Sequence, residues 1–140
     1  MRRVDRKLIL PYSRAQVFAL VDAIEDYPLF LPWCKQAQIH YRRESEVKAT
    51  LYLAKGPLKF DFTTINLAHG DSKIELKLVQ GPFRNLDGSW SFEELAANKC
   101  LVNFNLSFQF ANKLLAMALE PLFLGMSNTL IESFSKRADE

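Results

Sequence analysis

The chain has 140 residues, 49% of them apolar and 24% charged, with a formal net charge of +2. That length suits a single domain, 1–140, with one core burying roughly 68–70% of the unfolded surface. No apolar run approaches the ~20 residues of a membrane span, and "MRRVDRKLILPYS" holds only Leu8–Ile9–Leu10 where a secretory signal needs a longer apolar block. A cytoplasmic protein is the expectation.

In chain order, residues 2–10 read as a strand, with Val4, Leu8 and Leu10 on one parity and Arg6 as the exception. "SRAQVFALVDAI" follows as a helix. Ser13 stands at the N-cap, Gln16 completes a capping box, and Val17, Leu20, Val21 and Ile24 form an apolar face. Pro28 is expected to end or redirect that helix. The next stretch, "YPLFLPWC", packs large apolar residues between two prolines and reads as a short, partly helical lid between helix and sheet.

From Cys34 to Phe110 the period is two. Strands are predicted at 35–43, 46–55, 58–68, 73–80, 86–95 and 100–110, with hairpin turns at "AKGPLK", "AHGDSK" and "LAANKC". In the last of these strands Val102, Phe104, Leu106, Phe108 and Phe110 share one face, opposite Asn103, Asn105, Ser107 and Gln109. One dry side and one wet side follow. The "GPF" at Gly81–Phe83 is expected to open a strand edge, because proline brings no N–H to a ladder. A long helix is predicted over about 112–137, with a bend near Pro121 and Gly125. Its stripe is Leu115, Leu119, Leu122, Met126 and Leu130, widened by Leu114, Ala118 and Phe134. Met117 and Met126 are its adaptable fillers of irregular space. The fold class is therefore α+β, a curved antiparallel sheet of about seven strands wrapped around a long C-terminal helix.

Signals of chemistry are sparse. His40 and His69 have no partner at a ligand spacing, no nucleophile or phosphate-loop motif is present, and no catalytic residue or metal is expected. Cys34 and Cys100 stand far apart with no CxxC pair and read as buried, reduced thiols. Residues 1–59 carry eleven Lys/Arg against six Asp/Glu (+5), and residues 60–140 seven against ten (−3). A basic face for an anionic partner is one reading of that asymmetry, and solvated strand faces are the other.

"DYPLFLPWC", "VQGPFRNLDGSWSF", "FQFANKLL", "LEPLF" and "ESFSKRA" occur in that order. Together they resemble the coenzyme-Q-binding START-type family, within the polyketide cyclase/dehydrase superfamily, which also contains the ribosome association toxin RatA. The resemblance spans essentially the whole chain. It implies a helix-grip fold, an internal hydrophobic cavity and no catalytic residues. It also places Tyr27–Cys34 near the cavity mouth, with Tyr27, Phe30, Leu31 and Trp33 covering the ligand. Candidate lining residues are Phe62, Leu78, Phe83, Trp90, Phe104 and Phe108 from strands, and Leu115, Leu119, Leu122 and Met126 from the helix. Thr64 and Asn66, on the parity of Phe62, are candidates to bond a quinone carbonyl. Relatives often carry a basic residue after the paired threonines of "FTT"; Ile65 stands there, so no head-group or RNA contact is expected from it.

Two functions remain open at this point. The first is a non-enzymatic protein that holds ubiquinone or a similar isoprenoid lipid for respiratory electron transport, with no required cofactor and a transient contact at the inner membrane. The second is a toxin of the RatA type that binds the large ribosomal subunit and blocks subunit association. Arg2, Arg3, Arg6, Lys7, Arg42 and Arg43 would then face phosphate. DNA is not an expected partner.

Overall fold

The alternating segments form seven strands because each can bury one face only by curling around the amphipathic terminal helix. In the computed structural model, which describes residues Met1–Glu140, the elements are β1 (Arg2–Leu10), α1 (Arg14–Asp22), a 3₁₀ turn (Ile24–Asp26), α2 (Tyr27–Phe30), β2 (Cys34–Arg43), β3 (Glu46–Lys55), β4 (Leu58–His69), β5 (Lys73–Gln80), β6 (Phe83–Ala96), β7 (Lys99–Phe110) and α3 (Lys113–Ala138). The sheet order is β1-β7-β6-β5-β4-β3-β2, with every pair antiparallel. β1 and β2 are the two edges, although the chain visits them on either side of one short helical segment.

Local chemistry accounts for the element ends. Ser13 Oγ accepts from the Gln16 N–H at 3.2 Å while Gln16 Oε1 accepts from the Ser13 N–H at 3.0 Å, closing the capping box. α1 ends at Asp22, ahead of Pro28, so the proline does not terminate it. Pro28 instead sits in the first turn of α2, where a missing N–H costs nothing. α3 is capped by Asn112, whose Oδ1 accepts from the Leu115 N–H at 2.9 Å. It then continues for 26 residues with Pro121 inside it, and the helix is not broken there.

β6 begins three residues earlier than the pattern suggested. A bulge between Phe83 and Asn85 lets Phe83, at odd parity, share the inner face with Leu86 and Trp90. The β5–β6 ladder holds only from Lys73↔Ser91 to Lys77↔Asp87. Leu78–Gln80 then leave β6, which stays paired with β7 back to Phe83↔Phe110. The "GPF" turn does open the sheet there. Gly81 is required at its apex: φ is +155°, and a Cβ would lie 2.7 Å from Phe62 Cβ.

The buried face of α3 is Leu119, Phe123, Met126, Ser127, Ile131 and Phe134. It keeps Leu119, Met126 and Phe134 of the predicted stripe and replaces the rest with Phe123, Ser127 and Ile131. Leu114 and Met117 are 77% and 78% exposed, so Met117 fills no interior space. By length and composition this helix could cross a membrane, although charged residues interrupt its apolar sequence; here its apolar face packs against the sheet. Phe123 is the hub of that packing. Its ring lies 4.8 to 6.1 Å from those of Phe60, Phe62, Phe83, Phe108 and Phe110, drawn from β4, β6 and β7. Eleven residues on, Phe134 meets Tyr27, Phe30 and Trp90 at 5.3, 5.1 and 5.2 Å.

The edge strand β1 is clasped to α3 by polar pairs. Arg2 bonds Glu120 at 2.7 Å, Arg6 bonds Glu132, and Tyr12 donates to Asp139 at 2.5 Å. Arg6 therefore breaks the apolar parity of its strand because it reaches the helix at a sheet edge. Each exposed ion pair of this kind contributes about 0–1 kcal/mol, so the clasps set orientation more than stability.

Two measurements check this packing. Phe123→Ala is expected to lower unfolding free energy by about 3–5 kcal/mol, whereas Leu114→Ala on the uncovered first turn changes it by about 0.5 kcal/mol or less. Equal urea midpoints for the two variants would contradict the hub. The second concerns Cys34, which is 2% exposed and whose thiol is pushed by burial from 9.0 up to about 11. The folded chain keeps this proton after the unfolded chain has lost it. The contribution is therefore whole below pH 9.0 and is lost as pH rises to about 11. Cys34→Ala is expected to flatten part of the fall in urea midpoint across that window, and an unchanged slope would contradict the assignment.

Candidate functional site: an enclosed apolar cavity

The Phe123 and Phe134 clusters hold the two halves of α3 against the sheet. Between them the helix presents Met126, Ser127 and Leu130, and there the layers do not meet. The result is a cavity of about 90 Å³. Of its 21 lining residues 18 are hydrophobic, leaving Thr64, Asn66 and Ser127 as the polar ones. The wall includes no carboxylate, histidine, lysine or arginine.

Small side chains account for the gap. Ala49 of β3 and Ser127 of α3 stand where larger residues would fill it. Gly88 of β6 contributes indirectly: an added Cβ would lie 2.9 Å from a Leu106 methyl and 3.1 Å from a Leu76 methyl. Both leucines, which line the cavity, settle into the space that glycine leaves on the sheet surface.

Of the expected residues, Tyr27, Leu31, Trp33, Phe62, Thr64, Asn66, Trp90, Phe104 and Met126 do line the cavity. Others lie off the wall. Phe83, Phe108 and Leu119 are buried in the packing around Phe123. Leu78 sits on the part of β5 that has left β6, and Leu115 and Leu122 lie on half-buried turns of α3. Phe30 packs edge-on against Tyr27 and Phe134 beneath the Arg137 guanidinium, behind the wall. The residues not anticipated include Phe123, Ser127 and the β3 row Ala49, Leu51 and Leu53. That row was available from parity, since Leu51 pairs with Phe62 and Ala49 with Thr64.

The lid is tied down more firmly than its proline content suggests. Tyr27 and Leu31 are 8% and 1% exposed, the Tyr27 hydroxyl donates to the Val21 carbonyl, and the Trp33 carbonyl accepts from the Ala54 N–H at 3.0 Å. Burial, then the charge of nearby Asp22, raises the Tyr27 phenol far above its ordinary range. It is a fixed donor with no role as a base. Trp33 alone among the large lid residues is both half-buried and on the wall.

Elsewhere the structure assembles no alternative centre. His40 Nε2 lies 2.6 Å from Thr50 Oγ1 on the outer face of the sheet, and His69 pairs with Glu75. No three His, Cys, Asp or Glu side chains cluster as metal ligands. Cys34 and Cys100 are free and buried. The six basic candidates do not form one face. Arg2 and Arg6 are held by Glu120 and Glu132 at the β1 edge, and Arg42 bonds Asp22 and Glu25 at the opposite edge. Arg43 lies over the Tyr41 ring at 4.2 Å. Arg3 and Lys7, on the outward parity of β1, enter no ion pair.

The family described as polyketide cyclase / dehydrase and lipid transport matches residues 10–135. The chain is 38% identical over 137 residues to the ribosome association toxin RatA of Pseudomonas aeruginosa, covering 98% of this chain and 95% of that protein. It is 29% identical over 135 residues to the mitochondrial coenzyme Q-binding protein COQ10 of Dictyostelium discoideum, covering 94% of this chain and 66% of that one. Among solved structures, the Zhui aromatase/cyclase of Streptomyces sp. R1128 superposes with a TM-score of 0.85 at 13% identity, over 99% of this chain and 93% of that one. A START superfamily protein of Mycobacterium smegmatis gives 0.78 at 18% identity, over 98% and 97%. At those identities the two structures share a fold with this chain and nothing finer. With the matched segment running from the end of β1 to the last turns of α3, the chain belongs to the polyketide cyclase / dehydrase and lipid transport family and has the START-like helix-grip fold.

Proposed function

We propose that this protein is a non-enzymatic carrier whose cavity takes a ring-bearing lipid of the isoprenoid-quinone class. The observation that carries the reading is the composition of the wall: a space between helix and sheet, lined almost wholly by apolar and aromatic side chains and without an ionised group. General acid–base chemistry, as a cyclase would need, requires a titrating side chain within reach of the substrate. The one titratable wall residue with that capacity, Tyr27, has its proton committed to Val21.

Size adds a condition. An apolar cavity of about 150 Å³ admits benzene, and ligand pockets run to roughly 300–1,000 Å³. The cavity measures about 90 Å³ here, so a prenylated ring enters only if part of the wall moves. Trp33 is the side chain placed to move, because Tyr27 and Leu31 are anchored and Phe30 plugs against Phe134. Trp33 and Trp90 are the only tryptophans, and both line the cavity.

A short-chain ubiquinone is therefore expected to quench most of the intrinsic tryptophan fluorescence saturably. Trp33→Ala, read through Trp90, should weaken that binding by about 1–3 kcal/mol, the value of one buried apolar side chain. Phe30→Ala should instead mainly lower the urea midpoint. If Trp33→Ala leaves affinity untouched while unfolding the protein as readily as Phe123→Ala, the segment is a plug and the carrier reading loses its entrance. Mass spectrometry of a solvent extract of protein from its native host would identify the lipid.

A second reading is favoured by a separate observation, the full-length match to proteins named as ribosome association toxins. In that reading the chain docks on the large ribosomal subunit and blocks subunit association. Arg3 and Lys7 are then the cations to test, since Arg2, Arg6 and Arg42 already serve intramolecular pairs. If binding is electrostatic, each lost phosphate contact should lower the slope of log K against log salt by about 0.7–0.9, taking nucleic-acid values as a guide. Co-sedimentation with ribosomal subunits across a salt series measures it. Binding without salt dependence, or unchanged in Arg3→Ala/Lys7→Ala, would remove those residues from the interface.

A further inference from the structure

The apolar wall contains one residue that the packing alone does not explain. Ser127 is 5% exposed on the inner face of α3, in the stripe otherwise made by Leu119, Phe123, Met126, Ile131 and Phe134. Other hydroxyls of this helix are satisfied by its own carbonyls: Thr129 donates toward Gly125 and Met126, and Ser133 toward Thr129. Ser127 makes no such bond. The sealed side-chain polar atoms without a hydrogen bond are Arg14 Nε, which is ion-paired with Asp71 at 3.1 Å, and Asn103 Oδ1, neither on the cavity wall. The Ser127 hydroxyl is thus unpartnered yet reachable, and the space that reaches it is the cavity. Trp90, 3% exposed and also on the wall, carries an indole N–H that likewise makes no hydrogen bond.

Across the cavity, β4 supplies a third donor. Thr64 Oγ1 donates to Asn66 Oδ1 at 2.7 Å, which fixes the amide and leaves its NH₂ free. Hydroxyl, indole and amide together make a wall that is rich in hydrogen-bond donors and has no charge. A buried polar group left unmet is costly, and that cost is recovered only by an occupant that accepts. A carboxylate would accept, but burying an ion without a counter-charge is prohibitive, and the wall offers no lysine, arginine or histidine.

We propose that Ser127, Asn66 and Trp90 form a polar pole that selects a neutral, carbonyl-bearing ring over a hydrocarbon of the same shape and over a fatty-acid anion. The assignment rests on the carrier reading and refines it to the class of oxygen the ligand must carry. It also explains why a serine stands in a core stripe. The residue trades stability of the empty protein for recognition of an acceptor.

The test compares duroquinone with durene, which have the same four ring methyls, and with palmitate, by calorimetric titration of the whole protein. Wild type is expected to favour duroquinone. Ser127→Ala should lower duroquinone affinity by about three- to tenfold, the usual weight of one hydrogen bond, leave durene affinity unchanged, and keep or raise the urea midpoint. Asn66→Leu should act in the same direction, which guards against one variant failing to fold. If both ring compounds bind and neither substitution changes their ratio, the polar pole is wrong while the carrier reading stands. Palmitate binding as tightly as duroquinone would overturn the selection as well. If no ring compound binds wild type, the carrier reading fails and the pole with it.

Discussion

The architecture depends on Phe123. A seven-stranded antiparallel sheet has one face to bury, and a single helix is a narrow object to bury it against. Phe123 resolves this by placing one ring among five others from β4, β6 and β7. Edge-on aromatic pairs contribute about 0.5–1.5 kcal/mol each beyond their buried area, so the hub is strong enough to fix how far the sheet curls. Phe134 repeats the device with Tyr27, Phe30 and Trp90. Two tight clusters on one rigid helix leave the stretch between them spanned but unfilled. The cavity is a consequence of where the aromatic residues stop.

That arrangement explains the division of labour within "YPLFLPWC". Tyr27 and Phe30 belong to the second cluster, Leu31 is fully buried, and Trp33 lines the cavity. The prolines set short turns between these duties: Pro28 opens α2, and Pro32 breaks it from β2. Apolar bulk is concentrated there because one short segment must close one end of the sheet and also contribute to the wall of the cavity.

Much of the fold was legible from period alone. The strands β3 and β5 fall where the alternation put them, and the Ser13–Gln16 capping box marks the start of α1. What period could not supply was the whole covered face of α3. Leu119, Met126 and Phe134 of the expected stripe are buried, but Leu115 and Leu122 are only half-buried, and Phe123 and Ile131 complete the covered face instead. Only the sheet fixes how far round the helix the covered face extends. The bulge at Phe83 was hidden for the same reason, since parity fails where an extra residue enters a ladder. Phe83, Phe108 and Leu119 were placed at the cavity although they belong to the Phe123 cluster, because a sequence shows which side chains point inward and not how far from an empty space they lie. Ser127 reads as an ordinary interruption of an apolar stripe until its missing partner is seen.

The cationic residues illustrate the same limit from the other side. Six of them suggested a basic face, yet three are spent on intramolecular pairs and the set is split between the two edges of the sheet. The carrier and ribosome readings therefore draw on different surfaces, interior and exterior, and one chain has room for both. The central claim is that the interior is a ligand site. The three methionines make it directly measurable: Met126 lines the cavity, while Met117 and Met1 are exposed. In a methyl NMR titration of ¹³C-methionine protein with short-chain ubiquinone, the account predicts a saturable shift of Met126 with Met117 and Met1 unmoved. A Met126 resonance that stays fixed while the exposed methionines shift would place the ligand on the surface and contradict it.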